Sequence, residues 1–162
     1  MKKILTAIII VLILAGCNGG KPVQSGEQSQ GYIFDYNGVA ISVHTPAESV
    51  IEALGEPLDY FEAESCAFEG LDKTYYYSGF ELTTYPDGET DYIASVYFQD
   101  DSVSTKEGIC IGSSLEDVLE AYGNDYSGGD STYVYTEDQG SLIFVVQDGE
   151  VISITYQALI DN

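Results

Sequence analysis

The sequence predicts an α+β fold of two tandem repeats, each a short helix followed by an antiparallel β-meander, and three observations lead there. Segments 38–55 and 108–123 align with a two-residue gap, so that Glu48, Val50, Glu52, Ala53 and Gly55 meet identical residues at Glu116, Val118, Glu120, Ala121 and Gly123. Each segment is followed by strand-like stretches of alternating polarity, with turn residues between them. Fourteen tyrosines and six phenylalanines supply bulky material for a core, and about 130 residues beyond the N-terminal region are enough to enclose one.

The helices come first. Thr45 and Ser113 precede apolar periodic residues, and Glu48 and Glu116 stand three places later, which predicts a capping box at each start. Pro46 suits a first helical position, where its missing N–H costs nothing. Ala47, Val50, Ile51 and Leu54 fall at i, i+3, i+4 and i+7, as do Leu115, Val118, Leu119 and Tyr122, so each helix carries one apolar stripe. Gly55 and Gly123 are placed to end them.

The strands follow as residues 74–77, 80–85 and 92–98 in the first unit and 132–135, 142–146 and 151–156 in the second. Asp87-Gly88 and Asp148-Gly149 stand between the last two strands of each unit as hairpin turns. An additional hairpin, 32–36 with 39–43 around Asn37-Gly38, precedes the first unit. One register is ambiguous. Aligning Ile93 with Ile152 preserves identity, whereas aligning Ala94, Val96 and Phe98 with Ile152, Ile154 and Tyr156 preserves apolar alternation. The second is preferred, because a one-residue slip in a half-buried strand exposes its whole apolar set.

The N-terminus reads differently. Lys2 and Lys3 precede the apolar run 4–14, the charge-then-apolar order of a secretion signal. Eleven helical residues span roughly 16 Å, about half of the roughly 30 Å hydrocarbon layer, so the run is too short to span a membrane permanently. Leu14-Ala15-Gly16-Cys17 then resembles the lipobox of bacterial lipoproteins at all four positions. The resemblance implies cleavage before Cys17 and diacylglyceryl transfer to its thiol. An ordinary signal peptide also ends in small residues, but a cysteine at this place favours the lipid. Expected boundaries are therefore a signal peptide over 1–16, a flexible tether rich in Gly, Ser, Gln and Asn over 17–31, and repeat units over 32–101 and 102–162.

The whole chain carries −22, with 27 acidic residues against five basic ones. Loss of Lys2 and Lys3 leaves the mature chain at −24, with only Lys21, Lys73 and Lys106 basic. Such a surface cannot neutralise phosphates, so nucleic acid is excluded as an expected partner. Anionic headgroups repel it too, and acyl chains must hold it to the membrane unaided.

With its Leu54-Gly55 helix end followed by antiparallel strands, the stretch 32–156 resembles the tandem helix-plus-sheet modules of the beta-lactamase inhibitor protein family and the small SmpA/OmlA-type outer-membrane lipoproteins. Residues 65–68, 84–86 and 103–108 are more narrowly similar to uncharacterised lipoproteins of Gram-positive, mostly clostridial, bacteria. The broader resemblance implies binding of protein partners through an exposed sheet face, and a Gram-positive type of host implies a position on the outer face of the cytoplasmic membrane.

No catalytic constellation is legible. His44 is the single histidine, without an orienting partner in sequence, and receives no role. Carboxylate pairs such as Asp100 with Asp101, or Glu62 with Glu64, are uninformative among so many acids. No cofactor motif is present, and neither catalytic residues nor metal ligands are assigned. The 87–91 stretch offers oxygen ligands for calcium but fits a plain acidic hairpin turn better, because a hard cation takes six to eight converging oxygens. Cys66 and Cys110 are an even pair outside the cytoplasm, which suits a disulfide. Cys110 also lies in the apolar alternation Ile109-Cys110-Ile111, which suits a small buried thiol, and both readings stand. In strand alternation Phe80 and Leu82 share one face, leaving Glu81, Thr83 and Tyr85, with Tyr97 on the next strand, as a candidate binding face or as simple cover for the sheet. The expectation is a lipid-anchored, extracytoplasmic, non-catalytic protein-binding module. The competing readings are an extracytoplasmic calcium-binding module and an enzyme of unknown type.

Overall fold

The computed structural model describes residues 31–160. The signal peptide, Cys17 and most of the tether lie outside the described residues. Twelve elements follow in order: β1 Phe34–Tyr36, β2 Val39–Ile41, α1 Ala47–Leu54, β3 Asp59–Glu64, β4 Leu71–Tyr77, β5 Phe80–Asp87, β6 Thr90–Phe98, α2 Leu115–Tyr122, β7 Ser127–Gly129, β8 Thr132–Glu137, β9 Gly140–Gln147 and β10 Glu150–Ala158. The chain is mostly antiparallel β with two short helices. Strands β3 to β10 form one eight-stranded sheet in the order β3-β4-β5-β6-β10-β9-β8-β7, and β1 and β2 form a separate two-stranded sheet.

Helix then four strands occurs twice, and the last strands of the two sets meet at the centre of the sheet, where Val96 lies opposite Tyr156 and Tyr97 opposite Thr155. Three strands per unit were expected. β3 and β7 escape that expectation because they are the two edges. Every residue of β3 is exposed, and β7 is Ser-Gly-Gly, so neither carries the apolar alternation that reveals a half-buried strand.

One face of the sheet is the core. Along β5 burial alternates, with Phe80, Leu82 and Thr84 buried and Glu81, Thr83 and Tyr85 half-buried. The buried cluster joins Phe80, Leu82, Phe98, Phe144 and Ile154 of the sheet to Ala47 and Val50 of α1 and Val118 of α2. Each buried valine of this kind is stabilised by roughly 1.5–3 kcal/mol relative to exposure. The β1–β2 hairpin closes the same face. Asn37 and Gly38 both take positive φ, 53° and 84°, the conformation of a two-residue type I′ turn. Its Phe34 ring packs 5.1 Å from Phe80, 4.9 Å from Phe98 and 6.0 Å from Tyr156.

The helix starts lie one residue later than expected. Ser114, not Ser113, caps α2, in a capping box with Asp117 rather than Glu116. Pro46 occupies the cap of α1, which has no side-chain cap, and the Thr45 hydroxyl instead meets Ser42 Oγ at 3.0 Å. The cause is pairing with the sheet. Backbone bonds tie His44 and Thr45 to both sides of Ile93, and Gly112 and Ser113 to both sides of Val151, which holds these residues extended and delays the helix. Gly55 and Gly123 end the helices as expected, at φ 81° and 79°, their N–H groups donating to Ile51 O and Leu119 O.

The two central hairpins also differ. Asp148 and Gly149 form the turn between Gln147 and Glu150, but Gly88 and Glu89 form the turn between Asp87 and Thr90. Asp87-Gly88 and Asp148-Gly149 therefore do not occupy the same place, and the first hairpin runs two pairs further. A β-bulge resolves the register ambiguity. Pairing shifts at Ala94 of β6 and at Ile152 of β10, so Ile93 and Val96 point to the same face, as do Val151 and Ile154, all four being buried. A bulge inserts one unpaired residue and resets the alternation. Val96 and Phe98 match Ile154 and Tyr156 as preferred, while Ile152 is exposed.

Candidate binding surfaces

The register places Glu81, Thr83, Tyr85 and Tyr97 on the face opposite the core. Glu81 stands opposite Tyr97 and Thr83 opposite Ser95. Following the pairs outward, the row Tyr76, Glu81, Tyr97, Thr155, Ile143 and Val134 crosses six strands. Tyr97 is the exposed aromatic in this row, at 36%. Beside it Thr83 Oγ1 and Ser95 Oγ share a 2.7 Å hydrogen bond, and Gln99 Nε2 donates to Glu81 at 3.4 Å. Glu81, Thr83 and Tyr97 thus form one polar-aromatic patch at the middle of the sheet.

Tyr85 is built into something else. Its hydroxyl lies 2.8 Å from His44 Nδ1, its ring stacks on Tyr92 at 5.8 Å, and Phe68 packs against it at 5.2 Å. Burial raises the Tyr85 pKa, with Asp87 adding to the effect. His44 Nε2 lies 3.0 Å from the Gln139 carbonyl. A carbonyl only accepts, so Nε2 donates to Gln139, and in that tautomer Nδ1 accepts a hydrogen bond from the Tyr85 hydroxyl. His44 therefore clasps β5 to the β8–β9 turn. It does so from a left-handed backbone, φ 60°, where the matching position of the second half is Gly112 at φ 91°. Sequence reasoning gave His44 no role because partners 41 and 95 residues away leave no local signal.

The remaining candidates are dispersed. Cys66 is exposed in the β3–β4 loop and Cys110 is half-buried ahead of α2, both as free thiols. Cys110 Sγ lies 3.6 Å from Ser113 Oγ. Asp91, one oxygen source of the 87–91 turn, makes a 2.5 Å ion pair with Lys73. Among the described residues no group of three or more His, Cys, Asp or Glu is arranged to hold a metal ion. Asp100 is exposed and bonded to Ser102, whose hydroxyl and N–H hold its carboxyl below the usual range. A groove of about 730 Å³ runs between α1 and the β5–β6 hairpin, lined by Glu48, Ile51, Glu52, Tyr75, Glu89 and Asp91. A smaller hollow of about 220 Å³ lies by Tyr122, Glu107 and Tyr156.

Residues 1–18 match the family model described as prokaryotic membrane lipoprotein lipid attachment site. The match supports a lipid-anchored bacterial membrane lipoprotein. It covers the lipobox and Cys17 and leaves the folded part unassigned. No curated protein matches the chain, and no solved structure matches it. The likeness to beta-lactamase inhibitor, SmpA/OmlA and clostridial proteins therefore has no support from these comparisons.

Proposed function

We propose that this lipoprotein is a non-catalytic binding protein of the outer face of the cytoplasmic membrane, in a Gram-positive type of cell, that offers its open sheet face to a protein partner. In this reading the two helix-plus-strand sets are tandem copies joined at β6 and β10. The observation that carries it is the asymmetry of the sheet. One face is filled by helices and a hairpin, and the other presents Glu81 opposite Tyr97 with Thr83 in the neighbouring row, a patch with a rigid amphipathic ring. Aromatic rings of this kind suit protein recognition, since they bury a large area at small entropic cost.

The test is site-specific photo-crosslinking in the native cell, with the cross-linking residue at position 97 or, as control, at Glu120 on the exposed side of α2. A discrete adduct at position 97, absent at 120 and lost with Glu81→Lys, is the expected result. Equal labelling at both positions, or an adduct indifferent to Glu81→Lys, contradicts the open-face reading.

A further inference from the structure

The eight-stranded sheet has two edges, and they are unlike. β7 is three residues of Ser-Gly-Gly, a short edge of the kind that discourages pairing. β3 is six residues long and exposed throughout. Ser65 N–H donates to Gly70 O, and with the register Phe61 to Thr74 and Ala63 to Asp72 this turns the backbone of Tyr60, Glu62 and Glu64 outward, away from β4. Tyr60 N–H is met by the Asp59 carboxylate at 2.8 Å, while among the described residues no strand pairs with the outward backbone of Glu62 and Glu64. Two large apolar side chains stand beside it, Leu58 at 78% and Phe61 at 60% exposure.

The side chains on this edge alternate in chemistry as well as direction. Tyr60, Glu62 and Glu64 lie toward the helix-bearing side, where Tyr60 packs on Tyr75 at 5.0 Å, and Phe61 and Ala63 lie toward the open side. Lys73 is opposite Glu62 but is committed to Asp91 at 2.5 Å. Among the described residues no ion pair engages Asp59, Glu62 or Glu64, in a chain of net −22. Lys73 feels the Glu62 charge without pairing to it, and the Glu62 carboxylate accepts from the Tyr60 hydroxyl. A second copy added at this edge sets acid against acid, which disfavours it.

We propose that β3 takes a cationic, extended segment of a protein partner as a ninth strand, with basic side chains over Glu62 and Glu64 and apolar ones over Phe61. Main-chain hydrogen bonds then supply affinity and the alternating side chains supply selectivity. This surface is distinct from the patch around Tyr97, and the inference does not rest on the open-face reading.

The probe is a fluorescein-labelled peptide of alternating lysine and valine, titrated by anisotropy against the mature lipidated chain in nonionic detergent. Saturable binding that weakens with salt is expected. An otherwise identical peptide, N-methylated on the amides of one edge, keeps its charge and loses its hydrogen bonds. It should bind at least ~tenfold more weakly. Glu62→Pro removes an outward N–H without touching the β3–β4 ladder and should weaken the parent peptide similarly while the Tm holds. Glu62→Lys with Glu64→Lys should transfer preference to a glutamate-valine peptide. Absence of saturable binding, equal binding of the N-methylated peptide, or a salt-resistant dimer blocked by Glu62→Pro overturns the proposal, the last in favour of a second copy.

Discussion

The phenolic hydroxyl of Tyr135 donates a 2.8 Å hydrogen bond to the carbonyl of Gly123, the glycine that ends α2. Tyr77 stands in the same relation to Gly55 at the end of α1, but at 3.4 Å. Each bond ties a strand of the sheet to a carbonyl that a helix end leaves without an intrahelical partner. Tyr135→Phe should lower stability by about 1–2 kcal/mol and Tyr77→Phe by less, because the longer bond is weaker. Urea denaturation of both variants checks this. A larger loss for Tyr77→Phe contradicts the stated geometry.

A second pair of matched positions differs in chemistry. Thr84 lies opposite Ile93 as Val146 lies opposite Val151, and both are buried. Among the described residues the Thr84 hydroxyl has no hydrogen-bond partner. Replacing it with the residue used in the other half, Thr84→Val, keeps the shape and removes an unsatisfied group, so stability should rise by about 1 kcal/mol. A fall on denaturant titration means that the hydroxyl has found a partner in solution.

His44 combines two opposing terms. Its ring bonds to Tyr85 and Gln139 stabilise, whereas its left-handed backbone costs about 1 kcal/mol that a glycine avoids. His44→Ala loses the bonds and keeps the strain, and should cost about 1–3 kcal/mol. His44→Gly should cost about 1 kcal/mol less than that. Equal melting of the two variants removes the strain argument.

These contacts mark the limit of what sequence makes legible. Both helices follow from the spacing of Val50, Ile51 and Leu54 and of Val118, Leu119 and Tyr122, because burial under a sheet imposes the 3.6-residue period. Asn37-Gly38 announces its hairpin through backbone requirements alone. β3 and β7 were invisible since an edge strand buries little and needs no pattern. The cap shift to Pro46 and Ser114 arises from non-local pairing with Tyr92 and Glu150, which local capping chemistry does not encode. The bulges at Ala94 and Ile152 occupy matching positions, so the alignment preferred for its apolar alternation holds on both sides of them and Ile93 matches Val151 rather than Ile152. Of the candidate surface, alternation gathered Glu81, Thr83 and Tyr97 correctly on one face, and it assigned Tyr85 there without revealing its engagement by His44 and Phe68.

Alkaline titration should divide the tyrosines. Burial raises the Tyr122 pKa, reinforced by its hydrogen bond to Glu107, and burial likewise raises that of Tyr156. Both folded values lie above the unfolded value of about 10. Their contribution is therefore full below about pH 10 and is lost as pH rises toward the folded values, since the unfolded chain then releases protons that the folded chain retains. Absorbance at about 295 nm should show Tyr122 and Tyr156 ionising only as the fold is lost. Ionisation of all fourteen tyrosines in one step near pH 10, with unchanged stability, contradicts this.

The lipid anchor is the premise on which the proposed function depends, and it rests on one atom, the thiol of Cys17. Cells expressing the wild-type chain or Cys17→Ser, labelled with a fatty-acid analogue and fractionated, test it directly. The wild-type chain should incorporate label and sediment with membranes, while Cys17→Ser should carry no label and remain in the soluble fraction or as an uncleaved precursor. Equal incorporation of label by the two chains contradicts lipid attachment at Cys17, and with it the placement of this sheet at a membrane surface.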